Sequence, residues 1–334
     1  MNNNNNRFIA FDILKLFAIF LVIYGHCILH LQNHSYDIKE NIMYRFVASF
    51  HMPLFMAISG YFGSKIFNLK FSDLFKKKWN RLIVPSISFG IIFSLSWCYI
   101  IEGGGSYIET FIKCYWFLKS AFCCSLLYWA YRRIPNQIIG LILTLAISQF
   151  VFMYKVNEMY PAFLVGAFLY NHKIFLEKNW LSIFLPCLII YLILFSFDDY
   201  EMFSYPVLRL HKYLKSPEIS FYLSIHAYVI AMGIFGTLSV VSLFIGIGRI
   251  LPHMKTGEYI SRWGSETLGI YLIQAILLEH FLMRTLDFSD ISWSLFNLVI
   301  APIIAIIVII LCLIIIYGMK RSRFLRIYFL GENK

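Results

Sequence analysis

The chain has 334 residues, of which 60% are hydrophobic and only 14% charged, with a mean hydropathy of +0.70. A soluble globular domain carries about 25% charged residues, so that class is excluded. The net charge of +11 would suggest nucleic acid in a soluble chain, but in a membrane protein excess Lys and Arg mark cytoplasmic loops, and no nucleic-acid partner is expected.

The chain opens on Asn2 to Asn6, a low-complexity lead expected to be disordered over residues 1–6. Because a bilayer core of about 30 Å needs about 20 apolar helical residues, the hydropathy pattern predicts ten spans. They run over 8–30, 43–64, 80–101, 107–130, 137–154, 158–171, 180–197, 220–248, 267–284 and 292–318, the sixth being short. The fold class is therefore all-α: a polytopic membrane helical bundle, read as one domain over 1–334 with a tail at 319–334. The first apolar run is too long for a signal-peptide core, so no cleavage is expected.

Basic residues fall at every second crossing: Lys65 to Lys78, Arg132 and Arg133, Lys173 and Lys178, Arg249 to Arg262, then Lys320 to Arg326. Acidic residues gather on the alternate side, among them Asp37, Glu102, Asp198 and Asp287. That asymmetry predicts both termini in the cytoplasm. Glu102-Gly103-Gly104-Gly105 reads as a turn and lacks the Lys-Ser/Thr of a phosphate loop. The loop 198–219, with Tyr200, Tyr205, Pro206 and Pro217, is read as a lid or short surface helix. Seven cysteines, spread singly or as Cys123-Cys124, show neither disulfide nor zinc spacing. No metal is expected.

An ionisable side chain inside a span is costly and by default a functional candidate. The first span carries Asp12, Lys15, His26 and His30. Lys15 and His26 are eleven positions apart, hence on one helix face and about 16 Å apart along the axis. Asp12, three residues before Lys15, is placed to pair with it. A lone intramembrane histidine more often packs than reacts, and His30 near the outer interface is read that way. His26 is lifted above that reading by the face it shares with Lys15 and by Gly25, which permits close approach of a backbone or ligand.

In the second span His51 precedes Pro53, which frees a carbonyl and bends a helix, so His51 could face the same cavity as His26. Ser59-Gly60 is read as a packing pair. Lys78 and Arg81, one turn apart where the third span leaves the cytoplasm, can meet one anion. Lys76 and Lys77 are read as lipid anchors.

By these residues the chain resembles the integral-membrane acyltransferase 3 family, bacterial enzymes that typically O-acylate cell-envelope sugars. The resemblance rests on Arg7 and Asp12 before Lys15, ten residues and His26, then Phe50-His51-Met52-Pro53-Leu54-Phe55 with Ser59-Gly60-Tyr61. It continues through Lys78-Trp79-Asn80-Arg81-Leu82 before Pro85, Trp116-Phe117-Leu118, and Leu268-Gly269-Ile270-Tyr271-Leu272-Ile273. Two positions depart from the family. Lys78 replaces the first of an arginine pair and lacks the planar fork. Gln274 stands where many relatives have histidine and cannot transfer a proton.

The resemblance implies a stand-alone multi-pass enzyme of the bacterial cytoplasmic (inner) membrane. Its donor is acetyl-CoA, arriving from the cytoplasm. Its acceptor is an envelope glycan or lipid-linked sugar, of O-antigen, capsule, exopolysaccharide or glycolipid type. Arg81 and Lys78 would hold CoA phosphates, and Lys15 with Asp12 would shape the inner passage. His26 would take a proton from the sugar hydroxyl or, as a variant, carry the acyl group itself. His51 and Tyr271 would orient substrate. Trp116 and Phe117 would stack on a sugar face or anchor in membrane lipid. The rival reading is a polytopic exporter of polysaccharide or its precursor, with Asp12, Lys15 and His26 as a proton relay.

Overall fold

The computed structural model describes residues 3–32, 40–64, 68–100, 106–151, 153–197, 218–250 and 262–332. Among them every regular element is helical. The Glu102–Gly105 turn, most of the 198–219 loop, Lys65, Asp37 and Lys255 lie outside the described residues.

Among the described residues six helical runs are long and apolar enough to cross a membrane: Ala10–Leu31, Ile42–Gly63, Phe71–Tyr99, Ile219–Gly248, Thr267–Thr285 and Trp293–Met319. They coincide with the expected first, second, third, eighth, ninth and tenth spans, and the chain is a polytopic helical membrane protein. The first two runs are α1 (Asn3–Leu31) and α2 (Ile42–Gly63), and the third comprises α3 (Phe71–Lys78) and α4 (Val84–Ile100). The helix α1 already begins within the asparagine run, because extending a formed helix adds one hydrogen bond per residue.

The expected fourth span is instead two helices, α5 (Tyr107–Lys113) and α6 (Trp116–Tyr131). The break falls at Tyr115, whose φ of 50° is left-handed and disfavoured for a residue with a bulky side chain. The tertiary structure holds it there. The Tyr115 hydroxyl donates to the Leu272 carbonyl at 2.9 Å, and its ring meets Phe93 and Tyr271 edge-on.

Four helices follow: α7 (Gln137–Phe150), α8 (Val156–Asn171), α9 (Lys173–Lys178) and α10 (Trp180–Ser196). Of these, α7 and α10 are apolar but shorter than the six runs. The chain continues as α11 (Ile219–Ile250), α12 (Thr267–Ile276), α13 (Ala301–Met319) and α14 (Arg323–Tyr328).

The residues divide into two compact units. The first comprises Met1–Ala10, Ser49–Lys78 and Lys119–Pro252, the second Phe11–Ala48, Trp79–Leu118 and His253–Lys334.

Helices in lipid gain little from apolar attraction to one another, so close packing relies on small residues. In the first unit a Cβ at Gly60 would lie 2.1 Å from the Phe163 carbonyl oxygen, and one at Gly166 only 1.8 Å from that of Ala57. The helices α2 and α8 therefore touch backbone to backbone, which supports the packing reading of Gly60. Gly233 and Gly236 of α11 receive Pro53 and Phe50 of α2. Ser49 and Tyr191 join their hydroxyls at 2.8 Å in the buried interior.

In the second unit, Gly264 lies on the backbone of α1, where a Cβ would fall 2.1 Å from the Asp12 carbonyl oxygen. The Tyr24 hydroxyl of α1 donates to the Asn297 carbonyl at 2.9 Å. Three π-helical stretches interrupt the α-helical ladder: Trp79–Ile83, Leu277–Leu282 and Phe296–Ile300. Such stretches recur at functional sites, and here they carry Arg81, Glu279 with His280, and Asn297.

Candidate active site

Because α1 is an uninterrupted α-helix, the helical phase that places Lys15 and His26 on one face applies. Toward the start of the span, Lys15 Nζ donates to Asp12 Oδ1 at 2.8 Å, both groups being largely buried. The expected pairing is present. A charge inside an apolar helix is thereby neutralised within its own turn.

Farther along the helix, His26 and His30 stand one turn apart with rings stacked at 5.5 Å. The π-helical stretch after α12 brings Glu279 to them. Its Oε1 lies 3.7 Å from His26 Nδ1 and 4.0 Å from His30 Nε2. These separations exceed a hydrogen bond, but catalytic contacts commonly tighten only when substrate arrives. His30 is thus part of a polar cluster rather than a simple interfacial residue. Glu279 was missed by the sequence reasoning, although an acidic residue within the ninth apolar run meets the same criterion that singled out Asp12 and Lys15.

A cavity of about 490 Å³ opens beside this cluster, within the ~300–1,000 Å³ typical of small-molecule sites. His26, Tyr271, Gln274 and Glu279 form one part of its wall; Phe93 and Trp97 of α4 form another; residues from Ser106 to Trp116 complete it. Three sequence-predicted residues, His26, Trp116 and Tyr271, therefore share one cavity. The ring of Phe117 meets Tyr271 at 5.9 Å without belonging to the wall. His280 turns elsewhere: its Nδ1 is 2.6 Å from Ser96 Oγ, and its ring lies against Phe93.

The other candidates are placed separately. Asp12 and Lys15 are in the second unit but do not line the cavity. Arg81 is exposed, on the π-helical turn after α3. Gly331, with a φ of +66°, lies against that turn, where a Cβ would be 2.9 Å from the Arg81 carbonyl oxygen. His51, on α2, and Lys78, at the end of α3, belong to the first unit and are both partly buried.

Of the two close approaches expected at Gly25, that of a backbone or of a ligand, the first is not found among the described residues. A Cβ there would meet only a Val47 methyl at 3.6 Å, an ordinary contact.

Among the described residues His26, His30 and Glu279 offer ligand atoms within 4.8 Å of one another and are the group that could hold a metal ion. As they stand, the two imidazole planes differ by only 16° and are stacked. Stacked rings cannot aim in-plane lone pairs at one point, as tetrahedral zinc requires.

Comparison with known proteins bears on this geometry. A family model described as an acyltransferase domain matches residues 8–317. Two curated relatives are nodulation proteins NolL. That of Sinorhizobium fredii is 35% identical over 100 residues, covering 29% of this chain and 25% of that protein. That of Mesorhizobium japonicum is 35% identical over 99 residues, covering 29% and 24%. The chain thus spans about a quarter of the length of the curated relatives it matches. No solved structure matches.

Proposed function

Since the chain belongs to the acyltransferase 3 family, its domain match covering residues 8–317, we propose that it moves an acetyl or similar short acyl group from cytoplasmic acetyl-CoA to a hydroxyl of a cell-envelope sugar. The observation that carries this reading is the meeting of His26 and Glu279 at the wall of an aromatic cavity. Imidazole next to carboxylate is a base with an orienting partner, and the rings beside it suit a substrate that is partly apolar.

In the proposed reaction His26 accepts the proton of the sugar hydroxyl as its oxygen bonds to the thioester carbonyl carbon. The tetrahedral intermediate then breaks its C–S bond, and the CoA thiolate leaves with the proton from His26. Glu279, facing Nδ1, orients the ring so that Nε2 meets the hydroxyl. Tyr271 and Trp116 position the acceptor. Arg81 and Lys78 hold the CoA phosphates, arginine by a bidentate fork and lysine as a point charge. The Asp12–Lys15 pair shapes the inner part of the passage. This reading includes ten crossings, both termini in the cytoplasm, and a place in the bacterial inner membrane.

The test is transfer from radiolabelled acetyl-CoA to total envelope glycan in membranes bearing wild type, His26→Ala or Arg81→Ala at matched protein level. Loss of the base lowers the rate by about 10²–10⁴-fold. Arg81→Ala raises the donor concentration needed for half-maximal rate. If wild type transfers no acyl group from any CoA thioester offered, an exporter of polysaccharide or its lipid-linked precursor becomes the better account.

A further inference from the structure

The cavity beside His26 and Glu279 also has in its wall a buried amide with incomplete hydrogen bonding. Gln274, one helical turn past Tyr271, is 1% exposed. Its amide nitrogen donates only at the limit of range, 3.5 Å from the Tyr271 carbonyl oxygen. Its Oε1 accepts a hydrogen bond from no group among the described residues. Buried side-chain acceptors nearly always have a donor. Where such a group borders a cavity, a ligand is the natural source of the missing one.

The rest of the wall states what kind of ligand. Phe93, Trp97, Trp116 and Tyr271 put aromatic rings in the wall, and the negative quadrupole of such rings attracts the weakly positive C–H face of a pyranose. At the exposed end, Lys113 and Glu109 pair with each other, so that end presents no net charge. An uncharged ring with hydroxyl donors at its edge satisfies every part of this wall.

Building on the acyltransferase reading, we propose that Gln274 is a specificity-determining residue whose Oε1 accepts a hydrogen bond from one hydroxyl of an uncharged pyranose seated in this cavity, so that another hydroxyl of the same ring meets His26. Glutamine does not titrate, so its part is positioning and not proton transfer.

The experiment titrates envelope glycan against purified protein at saturating labelled acetyl-CoA. Gln274→Leu, which removes the acceptor at similar size, raises the half-saturating glycan concentration about tenfold while the saturated rate stays within about threefold, the worth of one neutral hydrogen bond to a ligand. Gln274→Glu keeps an acceptor oxygen at the same reach and holds half-saturation near wild type. Should the leucine variant fail to fold, Gln274→Asn, which shortens the arm by one methylene, shows the same rise. Unchanged half-saturation for glycan in an active variant overturns the proposal, as does a change that falls on acetyl-CoA instead. Wild type with no transfer at all removes the acyltransferase reading, and the role of Gln274 with it.

Discussion

In the first unit α2 and α8 approach until backbones touch; in the second a like approach, that of Gly264 to α1, exists beside a region where large rings stand apart around a cavity. Gly60 and Gly166 leave no room for a single carbon between α2 and α8. In the other unit Phe93, Trp97, Tyr115 and Trp116 surround an open space, and ionisable side chains reach it. Polar groups fasten helices in both units, in the second through Tyr24 and Tyr115 to the carbonyls of Asn297 and Leu272. Ser49 with Tyr191, and Gln149 with His226, fasten helices of the first unit to one another, while His26, Gln274 and Glu279 of the second face a cavity. Small residues build the scaffold, and bulky residues create the space in which chemistry can occur.

The sharpest way to break this comparison is Gly166→Leu. Its Cβ alone would fall 1.8 Å from a backbone oxygen that cannot yield, so no monodisperse protein is expected by size exclusion in detergent. Recovery of a variant as stable as wild type would show that the backbone contact is dispensable. Glu279→Gln acts on the other unit: shape is kept and charge removed, and transfer falls roughly 10- to 100-fold as His26 loses its orienting partner. Thermal stability should stay near that of wild type. An unaltered rate would mean that Glu279 only satisfies a buried position.

The smallest effect concerns Lys320, just past α13, whose ammonium bonds Glu266 at 2.6 Å and Glu332 at 3.0 Å. Burial opposes its charge, but the two carboxylates outweigh burial and raise its pKa. A raised lysine pKa contributes stability at neutral pH that fades as pH climbs past the ordinary lysine value of about 10.4 and through the folded one. Lys320→Met should lower Tm by about 1–2 °C at pH 7, as expected for a partly exposed ion pair in a chain this long. The gap should close in strongly alkaline buffer. A gap that persists there would assign the effect to packing.

Hydropathy carried the reading of the six long spans because lipid demands length and apolarity that composition cannot disguise. The break within the expected fourth span was illegible for a local reason: neither glycine nor proline marks Tyr115, whose left-handed turn is held by the distant Leu272 carbonyl and by the rings of Phe93 and Tyr271. Lys15, Asp12 and His26 were legible because one continuous helix keeps its phase over many residues. Their partners were less so. Glu279 comes from a π-helical stretch whose geometry no simple period describes, and the orphan oxygen of Gln274 exists only as a relation between neighbours. At Gly25 the sequence could not say whether a backbone or a ligand would use the space; among the described residues the nearest group is a Val47 methyl.

The π-helical stretch from Leu277 to Leu282 has a consequence for comparing this chain with others. A helix that bonds five residues back holds more residues in each turn than its neighbours, so it behaves as a local insertion of sequence without an insertion of length. Here that surplus presents two adjacent side chains to different places, Glu279 to His26 and His280 to Ser96. A homologue one residue shorter in this stretch would regularise its helix and keep only one of those destinations. In an alignment, a single-position gap at this point would separate subgroups with different chemistry.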